Sequence, residues 1–261
     1  GESIALASPT TSKQGFNMTY GNDGFIYYAY SEDYDISIKK IDSNGNLIWG
    51  PVLAVSSTED NIIQSVHPLP GSGCMIIYES QSFLNGSHIS ALVIDESGNA
   101  ISGWPLNITD LSGDQFYEDS QLTNSGIFIS FKDNSSGNYD VYGQFIEFNG
   151  SLMFSLSGAA IASGANDQQS STLAYNQVQD IVFVCYESPD GSETDVHCNE
   201  VNLSTQIVDE ELVISEDDNN QNNPFVYWSG HSYLIAWEDS RNSSGSNFEV
   251  DIYFQEYNHG E

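Results

Sequence analysis

Short apolar runs rich in Ile, Val, Tyr and Phe alternate with polar positions and are cut apart by Gly, Asn, Asp and Ser along the whole chain, and no long helical periodicity interrupts them. Side chains that switch faces at every residue are the pattern of half-buried strands, and the breakers between them supply tight turns. The chain therefore reads as consecutive antiparallel strands.

The strands repeat. One apolar run ending in an aromatic and then polar or acidic residues recurs as "FIYYAYSED", "CMIIYESQ", "IFISFKDN", "IVFVCYES" and "YLIAWEDS", anchored at Tyr30, Tyr78, Phe131, Tyr186 and Trp237, about fifty residues apart. Each is followed by a second strand, "DISIKKID", "HISALVID", "DVYGQFIEF", "DVHCNEVN" and "DIYFQEYN", and turns such as "SNGN", "ESGN" and "FNGS" supply positive φ. A third type, "GPVLAVSSTEDN", "GWPLNITDLSGDQ", "SGAAIASGANDQ" and "EELVISEDDNNQ", occurs in four repeats. The fifth lacks it, and "GESIALASPTTSKQ" at the N-terminus fits the vacant place, with Ile4 to Leu6 aligned on Val52 to Ala54. A leading segment precedes each apolar run: "FNMTY", "SVHPL", "DSQLT", "STLAY" and "NPFVY".

A repeat permuted across the chain termini implies ring closure, since an open array gains nothing from it. The expected fold is all-β: a five-bladed β-propeller with four-stranded antiparallel blades, the fifth closed by the N-terminal strand. It forms a single domain over 1–261, with blades at about 15–61, 62–115, 116–168, 169–221, and 222–261 plus 1–14. "QNNPFVYWSGHSYLIAWEDSRNSSGSNFEVDIYFQEYNHG" resembles the propeller repeats of secreted bacterial surface proteins, which follow a pattern like Gln-x-x-Pro, Trp-Glu-Asp-x-Arg, Asp-Ile-Tyr-x-Gln and a Gly turn. The other repeats match it loosely, and the resemblance implies a surface or interaction module.

Charge narrows the partners. Thirty-seven acidic residues against five basic ones give a formal charge of −32, which repels nucleic acid and anionic lipid and makes cations natural counterparts. No apolar stretch is long enough to span a bilayer as a helix, and the N-terminus lacks the basic and apolar regions of a signal peptide, so a secreted chain is expected here in its mature form. Cys185 and Cys198 flank "YESPDGSETDVH", a hairpin-like stretch that makes them a candidate disulfide, while Cys74 reads as a buried thiol.

Candidate chemistry lies mostly in the hairpins. Carboxylates oppose one another across the turn between the second and third strands of a blade, and like charges so placed need neutralising. Arg241 serves the fifth blade; elsewhere Asp33, Asp35, Asp133, Asp140, Asp190 and Asp195 are candidate calcium ligands, with solvated, salt-screened tips as the alternative. Gln14, Asn61, Gln115, Gln168 and Gln221 recur where one blade leads into the next, and they are expected to form an inter-blade amide ring. Seven sequons, at Asn17, Asn85, Asn107, Asn134, Asn149, Asn202 and Asn242, are candidate glycosylation sites.

A catalytic set is harder to find. The leading segments carry essentially one carboxylate, Asp119, with Glu118 before it, whereas glycosidases need two carboxylates about a scissile bond. Sialidases hold their substrate with several arginines, and this chain has only Arg241; "IDSNGNLIWG" has the wrong spacing for their Asp-box turn. The histidines, His67, His88, His197, His231 and His259, form no metal-ligand spacing. The sequence therefore leads to a non-enzymatic extracellular or cell-surface glycoprotein, structural or interacting, that pairs with itself as an oligomer or fibre or carries or binds glycans. A lectin-like propeller is the alternative, and a polysaccharide-acting glycosidase comes third.

Overall fold

Alternating sequences of this kind bury one residue in two, and the computed structural model, which describes residues 13–82, 86–243 and 249–258, contains strands and no helix among them. Two compact units are present, Gly1–Asp110 and Leu111–Glu261. The first holds two antiparallel sheets: β1 (Lys13–Tyr20), β2 (Ile26–Glu32), β3 (Asp35–Ile41) and β4 (Leu47–Val55), then β5 (Asp60–Pro68), β6 (Cys74–Ser82), β7 (Gly86–Ile94) and β8 (Leu106–Asn107). In the second unit, β9 (Gln115–Leu122), β10 (Gly126–Asp133), β11 (Asp140–Glu147) and β12 (Ala159–Ala162) form one sheet. Its next sheet comprises β13 (Gln169–Asn176), β14 (Ile181–Asp190), β15 (Glu193–Asn202), β16 (Ile207–Val208) and β17 (Leu212–Ser215). The last comprises β18 (Gln221–Trp228), β19 (Tyr233–Asp239) and β20 (Asp251–Tyr257).

Strands follow chain order within each sheet except that β17 pairs with β15 and not with β16. Two of the turns show why the sequence folds there. Asp42 and Asp95 accept the backbone N–H groups of Asn46 and Asn99 through Oδ1, each at 2.8 Å, while Gly45 and Gly98 take φ of 84° and 89°. The closing strand expected from the N-terminus lies outside the described residues.

The core lies between sheets, and the middle strands feed it from both faces. On β14, Val182, Val184 and Tyr186 pack toward Phe128, Val141 and Phe145 of the preceding sheet, whereas Phe183 and Cys185 pack toward Val226, Tyr233 and Ile235 of the following one. Burial on both faces explains why "IVFVCY" is continuously apolar where an exposed strand would alternate. Each fully buried Val, Ile or Phe contributes about 1.5–3 kcal/mol relative to exposure. Close approach also fixes Gly143: a Cβ there would run into the ring of Phe128. The first unit repeats the arrangement with Tyr27, Ile36 and Ile38 against Val66, Ile76 and Leu92.

Candidate functional site

The leading strand of every sheet departs from regular register. The irregularity falls at Lys13/Gly15 on β1, Ile63/Ser65 on β5, opposite Ser130/Phe131 on β9, at Gln169/Thr172 on β13 and at Asn222/Phe225 on β18. A bulge frees backbone N–H groups from the ladder and re-aims the side chains beside it. On β5, β13 and β18 the freed donors find acceptors on the preceding sheet. Ile63 N donates to Ser31 Oγ at 2.9 Å, and Asn223 N, at a residue with φ 51°, donates to Glu187 Oε1 at 2.9 Å.

On β13 this satisfaction brings two carboxyl groups together. Ser170, with φ 57°, donates its N–H to Glu118 Oε1 at 2.8 Å, and Ser171 donates N–H and Oγ–H to Glu118 Oε2 at 2.8 and 2.5 Å. Asp119 accepts from Ser120 N at 2.7 Å and from Leu173 N at 2.9 Å. Glu118 is the extra residue of the β9 bulge, since Tyr117 pairs with Phe131 and Asp119 with Ser130. Burial pushes both carboxyls above their ordinary range. For Asp119 it outweighs the bonds from Leu173, Ser120 and the Thr172 side chain, and for Glu118 it outweighs those from Ser171 and Ser170.

A recess of about 170 Å³ lies between β9, β13 and β18, and Asp119, which is not one of its lining residues, is joined to it through Leu173. Leu173, whose N–H is held by Asp119, forms part of its wall, as does Gln121, two residues further along β9 and therefore on the same face as Asp119. Ala174, Tyr175, Gln177, Val226, Tyr227 and Trp228 complete it. Tyr227 is 58% exposed, so its ring is open to solvent, and the buried Nε1 of Trp228 has no hydrogen-bond partner among the described residues. The repeat pattern alone puts the aromatics mainly on buried strands; Phe225 and Tyr227 instead face outward, because they occupy the alternate positions to the buried Val226.

Two of the hairpin carboxylates are met by protein donors. Asp133 and Asp140 face each other across β10 and β11 and are both buried. Asp133 accepts from Gln115 Nε2 at 2.8 Å and Ser135 N at 2.9 Å, and Asp140 accepts from Ser136 Oγ at 2.7 Å and Gly164 N at 3.2 Å. Asp33 sits at an exposed turn with φ 49°, Asp35 pairs with Glu32, Asp190 is exposed and pairs with Glu193, and Asp195 is buried opposite Ser188. Among the described residues no group of three or more His, Cys, Asp and Glu side chains is arranged to hold a metal ion.

The recurring amides largely close their own connections. Gln115 Nε2 donates to Leu111 O at 3.3 Å, Gln221 Nε2 to Asp217 O and Asn219 O at 3.0 and 2.9 Å, and Gln168 is buried at the end of its connection. Asn61 reaches the neighbouring sheet, where Tyr34 O accepts from its Nδ2 at 2.5 Å; the Gln14 side chain lies outside the described residues. Cys185 and Cys198 stand directly opposite on β14 and β15 and are joined by a disulfide, with Cα atoms 4.0 Å apart, and Cys74 is buried and unbridged. His197 Nδ1 lies 2.9 Å from Glu211 Oε1.

Of the sequons, Asn107, Asn149 and Asn242 are exposed, the last two in turns where they bond Glu147 and Asp251. Asn134 caps Asp114 N, Asn202 accepts from Thr205 N, and Asn17 donates to Gln64 O. Asn85 and His259 lie outside the described residues.

No protein-family model and no curated protein matches the chain. Solved structures do. An α-L-arabinanase of Penicillium chrysogenum complexed with arabinobiose is 8% identical, with a TM-score of 0.53 over 91% of this chain and 80% of that one. The GH93 α-L-arabinofuranosidase of Fusarium graminearum with arabinobiose is 10% identical, with a TM-score of 0.53 over 93% and 82%. A subtype N11 neuraminidase-like protein of A/flat-faced bat/Peru is 11% identical, with a TM-score of 0.50 over 94% and 72%. The fold is the five-bladed β-propeller, its antiparallel sheets the blades.

These neighbours correct the expectation of a non-enzymatic structural or interaction protein, and the filament and lectin-like readings are set aside with it: proteins of this fold that the chain resembles cleave glycosidic linkages. A strand-by-strand count of carboxylates does not register the burial that raises Asp119, nor the aromatic recess that three distant strands assemble.

Proposed function

We propose that the protein is an extracellular glycoside hydrolase acting on a glycan of the arabinan kind, with Asp119 as general acid. The observation that carries this reading is a partly buried carboxyl, raised above its ordinary range, joined through Leu173 to an aromatic recess. A raised carboxyl keeps its proton at a pH where an exposed one has lost it; it can deliver that proton to the departing glycosidic oxygen while a solvent water adds to the anomeric carbon and gives up its own proton to solvent, which restores the balance without a second protein carboxylate. Glu118 is a positioning residue: by holding Ser170 and Ser171 it fixes the bulge that aims Leu173 N at Asp119. The arabinobiose complexes of two similar folds support the substrate class. The Cys185–Cys198 disulfide, the charge of −32 and the likeness of the fifth repeat to secreted bacterial surface proteins support an extracellular setting.

Incubation with linear arabinan and with arabinobiose, followed by chromatography of the products, tests the reading. Release of arabinose or short arabino-oligosaccharides is expected. Absence of release from these and from a panel of other polysaccharides would end it.

A further inference from the structure

The recess joined to Asp119 through Leu173 has properties that a general acid does not require. Its volume, about 170 Å³, is well below the roughly 300–1,000 Å³ of pockets for drug-sized ligands, and it suits a single sugar ring. An exposed tyrosine ring offers an apolar face for the C–H side of a sugar, and the amides of Gln121 and Gln177 can each donate and accept at hydroxyls.

Charge selects among sugars. None of the lining side chains is cationic, and Arg241, the only arginine, is already bound to Asp217 at 2.6 Å and to Asp239. At a formal charge of −32, a carboxylated sugar entering such a recess meets repulsion with no counter-ion. One similar fold is a neuraminidase-like protein and two were solved with arabinobiose, so the fold alone leaves neutral and acidic sugars open.

We infer that the recess formed by Gln121, Leu173, Tyr175, Gln177, Tyr227 and Trp228 is a binding subsite for one uncharged sugar ring, stacked on Tyr227 and closed to carboxylated sugars. This deepens the proposed function and rests on it.

Binding of arabinobiose to the Asp119→Asn variant, and of L-arabinose to the wild type, can be followed by tryptophan fluorescence and calorimetry. Both sugars are expected to bind and to change the fluorescence, while 3′-sialyllactose at the same concentration does neither. Tyr227→Ala, at a residue 58% exposed, is expected to weaken binding roughly tenfold or more, and Trp228→Phe to remove most of the fluorescence change. Undiminished binding by Tyr227→Ala with an unchanged melting temperature, or equal binding of 3′-sialyllactose, would overturn the inference. Arabinan hydrolysis without recess-dependent binding would leave the proposed function standing and remove the subsite; recess-dependent binding without hydrolysis would do the reverse.

Discussion

Asp119 and Asp239 are two partly or fully buried carboxyls that their surroundings push in opposite directions. Burial raises Asp119 and the bonds from Leu173 and Ser120 do not cancel it. Burial would also raise Asp239, but the Arg241 guanidinium, the Arg241 backbone N–H and the Trp237 indole outweigh it and hold the carboxyl low. For Asp119, hydrolysis requires the protonated form, so kcat/KM should fall as pH rises through a value above 3.8, the ordinary value for an aspartate, and a pH–rate profile locates that limb. Asp119→Asn should reduce the rate by about 10²–10⁴-fold, while a urea melt at neutral pH moves by no more than about 1 kcal/mol, because the ionised carboxyl is itself unfavourable in the fold. For Asp239 the sign reverses: its stabilisation is present above the unfolded value and is lost as pH falls through the lowered folded one. Arg241→Met should therefore cost about 2–3 kcal/mol at pH 7, and the gap from wild type should narrow in urea melts carried out below pH 3.8.

The strands themselves are readable from the sequence because a period of two, broken by Gly and Asn, has few other solutions. "IVFVCY" and "DVHCNEVN" become β14 and β15, with the cysteines opposite each other, since a hairpin fixes register. The outer strands are less readable. β8 is only two residues long although "GWPLNITDLSGDQ" matches its repeat counterparts, and β4, with Pro51 at the equivalent place, runs for nine. Bulges leave no residue signature, so Glu118 and Asp119 appear in the sequence only as two acids on a strand, and the bonds from Ser170, Ser171 and Leu173 that define them come from the next sheet. At this scale the disulfide gives a sharp expectation. It closes a sequence separation of 13, and replacing both cysteines by alanine should lower stability by about 2–3 kcal/mol in equilibrium urea unfolding.

At the scale of the molecule, five copies of one strand pattern specify five sheets, and the same repetition conceals the site. Every leading strand has a bulge, but only β9 carries consecutive acids at it, and only β9, β13 and β18 contribute to the recess. Gln121 and Tyr227 are more than a hundred residues apart, so no local pattern announces that they share a wall. An extreme negative charge disfavours nucleic acid, yet it says nothing about an uncharged partner, which feels the local hydrogen bonds and ring faces instead of the field. The measurement that bears most directly on the account is the rate of reducing-sugar release from linear arabinan by the wild type and Asp119→Asn, side by side. The account predicts release by the wild type and loss of at least about a hundredfold in the variant; equal rates, or no release by either, would contradict it.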